Sequence, residues 1–466
     1  MLIQTALVAL AATAVSAVKP LKVQGTDFVD DGGNKFQIVG VAYQPGGSSG
    51  YDPKAGKDPL SNAATCMRDA ALMQVMGVNA IRVYNLDPDL NHDECASIFN
   101  AAGMYMMLDV NSPLPGEAIS SFEPWTTYYM EYMNRTFAIV EAFSNYPNTL
   151  LFFSGNEVIN DLPSAKDNYI KNNVKRPIPV GYSAADVREV LWDTWNYMQC
   201  AEDGKDDDMS RADIFALNSY SWCGPDATYQ TSSYDVLTDG FHNSSVPVFF
   251  SEFGCNTPQP RYWNETQAIY GTNMTPVFSG GVVYEWTEED NNYGLVNIQD
   301  GTLQIMTDYN RLKAQYAKIN WKSVQTQPAS KKGPAPPNPS PGTQKLIDHG
   351  ISNKPSGKIV KISDWSVKLP VKDSEGNAMK GLKVNPLSND EYNWYGKNAA
   401  ETGSSNDNSN NSNNKDSGSS SKGGDSSNKG STPPTNSEDT KKNDAGAMGR
   451  PVMWAMALPL VAMLLA

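Results

Sequence analysis

The chain has 466 residues, 40% of them hydrophobic, and 37 Lys and Arg against 51 Asp and Glu give it a net charge of −14. That is enough apolar material for a large core, and the absence of a basic run argues against a nucleic-acid binder. Its three histidines, His92, His242 and His349, lie far apart and in no HExxH-like pattern. A histidine-built metal site or a Ser-His-Asp triad is therefore disfavoured, and catalysis is expected to rest on carboxylates.

Residues 2–18 (LIQTALVALAATAVSAV) are apolar and small, and Val15-Ser16-Ala17 offers a cleavage site. Residues 1–17 read as a signal peptide, although the usual positive start is missing; the alternative is a buried N-terminal helix. Eight short apolar runs come next, at 36–42, 78–84, 104–110, 150–154, 178–182, 214–220, 246–251 and 281–286. Most are continuous rather than alternating, as in strands covered on both faces. Helical spacing appears between them, at 63–76, 128–143 and 185–199. Eight buried strands alternating with helices predict an α/β fold, a (β/α)8 TIM barrel over residues 18–325. A doubly wound open sheet is the competing arrangement, and no GxGxxG opens the first unit to support it.

Residues 326–344 are Pro-rich and read as an extended linker. Residues 345–400 carry short apolar alternation, which suits either a small β-rich appendage or an extended segment. Residues 401–443 are rich in Ser, Asn and Gly, cannot bury apolar surface, and are expected to form a disordered stalk. The last fifteen residues are apolar except for Pro459, too short a stretch to span a bilayer with ease. Small residues lie just upstream, so 444–466 reads as the propeptide of a glycosylphosphatidylinositol (GPI) signal, with Asn443 the attachment residue and a short tail anchor the alternative. Sequons at Asn134, Asn243, Asn264, Asn273 and Asn410 fit a secreted chain. The five cysteines form no CxxC, and in an oxidising compartment at least one of an odd number is left over.

A barrel places its active site at the C-terminal ends of its strands. The fourth run ends at Asn156-Glu157 and the seventh at Glu252. A carboxylate closing an apolar run is costly to bury and calls for a reason. Retaining glycoside cleavage supplies one, because it needs two carboxyls about 5–5.5 Å apart, one an acid/base and one a nucleophile. Strands four and seven face each other across a barrel mouth. Asn156 is placed to hydrogen-bond a sugar 2-hydroxyl, and the 10% aromatic content suits a sugar cleft.

These residues carry a resemblance. The stretches GVAYQP (40–45), RVYN (82–85), GNE (155–157), NSYSWC (218–223), PVFFSEFGC (247–255) and NYGLV (292–296) resemble the β-1,3-glucanosyltransferases of glycoside hydrolase family 72, GPI-anchored enzymes that remodel cell-wall glucan. The resemblance implies Glu157 as acid/base, Glu252 as nucleophile and Tyr220 as the tyrosine that hydrogen-bonds the nucleophile. It places Gln44, Tyr84, Asn85, Asp109, Asn156 and Tyr284 along the sugar subsites, with Tyr84 and Tyr284 as stacking faces. It also implies the disulfides Cys66–Cys95 and Cys223–Cys255. The family's usual partner for the residue at Cys200 is missing, because no cysteine follows Cys255. The Cys-rich carbohydrate-binding module of some family members is absent as well.

The resemblance implies transfer of a new reducing end from one β-1,3-glucan chain to the non-reducing end of another. The same carboxylates would serve a retaining hydrolase, and a non-catalytic wall-bound glucan-binding protein is the third reading. The intact Glu157/Glu252 pair argues against the last. No metal or organic cofactor is expected; Glu288, Glu289 and Asp290 read as a solvated charge run rather than a calcium site. The expected partners are glucan chains and, through the lipid anchor, the outer leaflet of the plasma membrane, with the chain a monomer at the cell surface or in the wall.

Overall fold

A computed structural model of the chain describes residues 18–112, 114, 116–119, 130–158, 176–199, 211–330 and 357–387. The expected signal peptide, Cys200, Asn410, the stalk and Asn443 lie outside the described residues. The chain opens with a small antiparallel sheet of β1 (Lys22–Gln24), β2 (Asp27–Val29) and β3 (Lys35–Phe36). Eight parallel strands then close a barrel: β4 (Ile38–Ala42), β5 (Ala80–Val83), β6 (Tyr105–Asp109), β7 (Thr149–Asn156), β8 (Val180–Ala185), β9 (Ile214–Asn218), β10 (Val248–Phe253) and β11 (Phe278–Val283). Neighbours follow chain order, and β11 closes onto β4 with Gly281 opposite Val39. The (β/α)8 barrel is therefore present. Each expected run holds a strand, with the fifth lying further along than expected and the eighth earlier.

The crossovers carry α1 (Ala63–Met76), α2 (Asp93–Ala101), α3 (Met130–Phe143), α4 (Arg188–Gln199), α5 (Tyr234–Gly240) and α6 (Glu265–Ile269). The bounds of α1 were legible because both ends are signalled. The Asn62 side chain accepts from Thr65 N at 3.0 Å, and Gly77 takes the left-handed conformation (φ 90) that ends the helix. The disulfide Cys66–Cys95 ties α1 to α2, with Cα atoms 5.5 Å apart.

The barrel interior is an apolar plug below a polar layer. Phe28 of β2 brings its ring to 6.1 Å from Phe249, which faces Phe153 across the barrel at 6.2 Å. The guanidinium of Arg82 lies 4.4 Å above the Phe153 ring, where the polar layer begins.

After the barrel come the hairpin β12 (Val296–Gln299) and β13 (Thr302–Ile305), then α7 (Thr307–Tyr316) and α8 (Trp321–Gln325). The expected linker does not begin at residue 326, because Ser330 folds back on the first sheet. Its N–H donates to Asp27 Oδ2 at 2.7 Å and its hydroxyl to Gln24 O. Within the segment whose fold the sequence left open, residues 357–387 pack against the barrel helices. β14 (Val371–Lys372) pairs with β13. Gln74 of α1 exchanges two hydrogen bonds with the Asn385 backbone, each 2.8 Å, and Lys358 N donates to Asp93 Oδ1 at 2.8 Å. Val371, Val384 and Leu387 are buried there. The short apolar alternation of this stretch becomes an element only against α1, α2 and β13.

Each of those three side chains contributes about 1.5–3 kcal/mol on burial. A chain ending at residue 325 is expected to melt at least about 5 °C below one that keeps residues 326–387, as measured by thermal unfolding; equal midpoints would make this segment dispensable.

Candidate active site

The C-terminal ends of the strands converge on one fully buried cation. Arg82, inside β5, is 0% exposed. Its Nε and Nη2 donate to the two oxygens of Asp109 at 3.2 and 3.3 Å. Its Nη1 donates to Glu252 Oε1 and to the Ser251 carbonyl, both at 3.2 Å, and its Nη2 also reaches Asn156 Oδ1 at 2.9 Å. The Tyr84 ring stacks over the same guanidinium at 4.5 Å.

Glu252 lies in β10 and receives three donors. Besides Arg82, Tyr84 Oη donates to Oε1 at 2.9 Å and Tyr220 Oη to Oε2 at 2.7 Å. Burial pushes this carboxyl above its ordinary range; Arg82, Tyr220 and Tyr84 oppose the shift, while the Glu157 charge adds to it. The donors favour the charged form of an otherwise desolvated group, as an attacking carboxylate requires.

Glu157 follows β7 on the facing side. Its backbone lies in the left-handed region (φ 51), a conformation that costs on the order of 1–3 kcal/mol for such a residue. Its N–H donates to Ser183 O at 2.8 Å, and Asn218 Nδ2 donates to its Oε1 at 2.8 Å. Strain of this kind persists only where the surroundings over-determine it, and here it turns the carboxyl into the mouth beside Asn218. The Asn156 carbonyl oxygen accepts from Arg82, from Ser183 Oγ (2.7 Å) and from Asn218 Nδ2 (3.1 Å). With that oxygen engaged, the Nδ2 group is what Asn156 has to offer a ligand.

Tyr284 follows β11 and completes an aromatic wall. Its ring lies 6.5 Å from Tyr84, 6.2 Å from Tyr220 and 5.3 Å from Tyr293. Next to it, Glu285 is 1% exposed and accepts from Asn291 Nδ2 at 3.0 Å; burial, its largest influence, pushes it up to about 7. On the other side of this loop, Glu289 accepts from the backbone N–H and the hydroxyl of Ser48, next to Gly47, whose φ of 65 leaves no room for a Cβ against Glu289. Glu289 thus has a bonding role that its place in a charge run did not suggest. Among the described residues, no group of three or more His, Cys, Asp or Glu side chains is placed to hold a metal ion.

The structure brings Glu157, Glu252, Asn156, Tyr84, Tyr220 and Tyr284 together. Gln44 and Asn85 are buried at the ends of β4 and β5, and Asn85 Oδ1 has no hydrogen-bond partner among the described residues. Asp109 is 2% exposed, and each of its oxygens accepts from Arg82, a pairing that the sequence did not announce. Tyr84 differs from expectation, being a second phenol on the nucleophile candidate as well as a ring. Arg82, Asn218, Ser183 and Tyr293 were not expected from the sequence. Arg82 had a signal, a cation inside an apolar strand; Asn218 and Tyr293 lay within the stretches NSYSWC and NYGLV that carry the resemblance, and Ser183 had no signal. The Cys223–Cys255 disulfide, Cα atoms 5.2 Å apart, joins the stretches after β9 and β10, close to Tyr220 and Glu252. Among the sequons, Asn134, Asn243 and Asn273 are exposed, while Asn264 is half-buried with its Oδ1 accepting from Gln315 at 2.8 Å.

The sequence profile of the Glucanosyltransferase family matches residues 10–320. The chain belongs to this family, glycoside hydrolase family 72. It is similar to the 1,3-beta-glucanosyltransferase gel2 of Aspergillus fumigatus, 48% identical over 431 residues that cover 85% of this chain and 89% of that protein. It is also similar to the 1,3-beta-glucanosyltransferase GAS4 of Saccharomyces cerevisiae, 44% identical over 326 residues, 67% of this chain and 68% of that protein. Among solved structures, Saccharomyces cerevisiae Gas2p in complex with laminaritetraose and laminaripentaose is similar with a TM-score of 0.57 and 31% identity, covering 77% of this chain and 76% of that one.

Within such a family site, removing a donor from Glu252 has a defined consequence. Tyr220→Phe takes away a hydrogen bond that favours the ionised carboxylate, so the Glu252 carboxyl rises further. A higher pH is then needed to ionise it, and the acidic limb of the kcat/KM profile is expected to move to higher pH; a limb that stays in place would detach Tyr220 from the ionisation of Glu252.

Proposed function

We propose that this chain is a β-1,3-glucanosyltransferase acting by retaining double displacement. The observation that carries the reading is that two strand-end carboxyls belong to one hydrogen-bonded layer at one barrel mouth. Glu252 is gripped by a guanidinium and two phenols, and Glu157 accepts from Asn218, whose other N–H reaches the Asn156 oxygen that Arg82 also holds. In the first step a Glu252 oxygen attacks the anomeric carbon of a glucan unit. The C1–O3 bond breaks, and Glu157 gives its proton to the departing O3. The new reducing end stays on Glu252 as a glycosyl ester. In the second step the 3-hydroxyl at the non-reducing end of another chain attacks C1, gives its proton to Glu157, and releases Glu252. One β-1,3 bond is broken and one is formed, with retention. The Tyr84, Tyr220 and Tyr284 rings offer faces for pyranose C–H surfaces, and the Asn156 amide offers a donor to a ring hydroxyl.

The test is to incubate the full chain with a reduced β-1,3-gluco-oligosaccharide and size the products by mass. Products longer than the substrate are expected, reduced roughly a thousandfold or more in both Glu157→Gln and Glu252→Gln. Only shorter products would replace the reading with a hydrolase on the same residues, and no product would leave a glucan-binding protein.

The ends of the sequence support a chain exported to the cell surface and held at the outer leaflet by a GPI lipid at Asn443, after loss of residues 1–17 and 444–466. Treating expressing cells with phosphatidylinositol-specific phospholipase C is expected to release it; retention on the cells would refute the anchor.

A further inference from the structure

Arg261 follows β10, and its hydrogen bonds go to neither Glu157 nor Glu252. The side chain is buried, so its five N–H donors need partners within the protein. Nε donates to Asp308 Oδ2 of α7 at 2.6 Å. Nη1 donates to Tyr284 O at 2.8 Å, and Nη2 to Tyr293 O at 2.7 Å and Gly294 O at 3.0 Å. Its plane rests 4.3 Å over the Trp263 ring, and Arg311 holds the other Asp308 oxygen at 3.0 Å. Charge neutralisation by Asp308 explains one edge of the guanidinium. The rest of the fork ties two separate pieces of chain, the end of β11 and the loop leading to β12, at the residues that carry Tyr284 and Tyr293. Because the bonds go to main-chain carbonyls, both phenol rings remain available. Those rings lie 5.3 Å apart, and each packs on Tyr220, at 6.2 and 5.5 Å.

We infer that Arg261 is a positioning residue that fixes Tyr284 and Tyr293 as a rigid face for a pyranose ring, and so governs how tightly the glucan is held rather than how fast its bond breaks. The inference rests on the glucan reading of the cleft. Rings fixed before binding spare the ordering cost that association otherwise carries. A lysine cannot replace the fork, since one ammonium cannot span three carbonyls on two segments.

On the full chain, Arg261→Lys keeps a cation beside Asp308 and loses the fork. The expected result is a rise of about tenfold in KM for a β-1,3-gluco-oligosaccharide and in its dissociation constant measured in a Glu157→Gln chain, with kcat within about threefold and its pH profile unchanged. In a chain already carrying Tyr284→Ala and Tyr293→Ala, the same substitution is expected to leave KM where it was, because the coupling runs through the rings. An unchanged KM in folded Arg261→Lys, a fall in kcat at constant KM, or an equal effect with and without the rings overturns the inference. If Arg261→Lys does not fold, Asp308→Asn keeps the guanidinium and weakens its anchor; a smaller rise in KM is expected, and no rise overturns the inference. A wild-type chain that binds no gluco-oligosaccharide overturns the glucan reading and this inference with it, whereas wild-type binding with an unaltered Arg261→Lys constant overturns this inference alone.

Discussion

Arg82 is buried beneath the barrel mouth with Asp109 beside it and Glu252 across it, and the arrangement of the site comes from satisfying that one guanidinium. An unpaired charge at such depth would be costly, and breaking a buried pair by removing one partner costs about 3–5 kcal/mol. The barrel meets the demand by closing six polar groups from five strands onto it or onto each other. Asp109 neutralises it, Asn156 and the Ser251 carbonyl take up its outer donors, and Glu252 shares what remains. Glu252 therefore has one rotational position, and its oxygens point where Tyr84 and Tyr220 can donate. A nucleophile candidate that is buried, supplied with three donors and fixed in direction is a by-product of housing the cation.

The same layer links the two carboxyls. Asn218 donates one N–H to Glu157 and the other to Asn156, while its own oxygen accepts from the Ser251 hydroxyl at 2.8 Å. Glu157 and Glu252 thus lie at two ends of one hydrogen-bonded network spread over β5, β7, β8, β9 and β10. Such networks are rigid when every member has partners and costly when one lacks them. The positive φ at Glu157 is tolerated because this network and Ser183 O hold the residue from both sides.

Around that centre, the remaining elements serve to hold the rim. The Cys223–Cys255 disulfide joins the stretches after β9 and β10 that carry Tyr220 and Glu252. Arg261 holds the loop after β11 through main-chain carbonyls, and Glu289 within that loop ties it to Ser48. Residues 357–387 bind α1 through Gln74 and α2 through Asp93 and Ser97, and extend the β12–β13 hairpin by a strand. The catalytic unit of this chain consequently extends well past the last barrel helix.

The eight buried runs, the barrel they form and the two strand-end carboxylates were all legible along the chain. Strand interiors repeat a plain apolar signal, and α1 announces both its ends with Asn62 and Gly77. The family motifs on which the resemblance stood were legible there too. Closure of the barrel was needed to establish that Asp109 belongs to Arg82, that Tyr84 donates to Glu252, and that Asn218 and Ser183 connect the carboxyls. It was needed as well for residues 357–387 to find their place on the barrel. The physical reason is the same in each case. Burial and apolar periodicity are properties of a short stretch and can be read locally, whereas the partner of a polar group is chosen among residues brought together only when the barrel closes. Arg82 and Asn218 are 136 positions apart, and nothing local to either names the other.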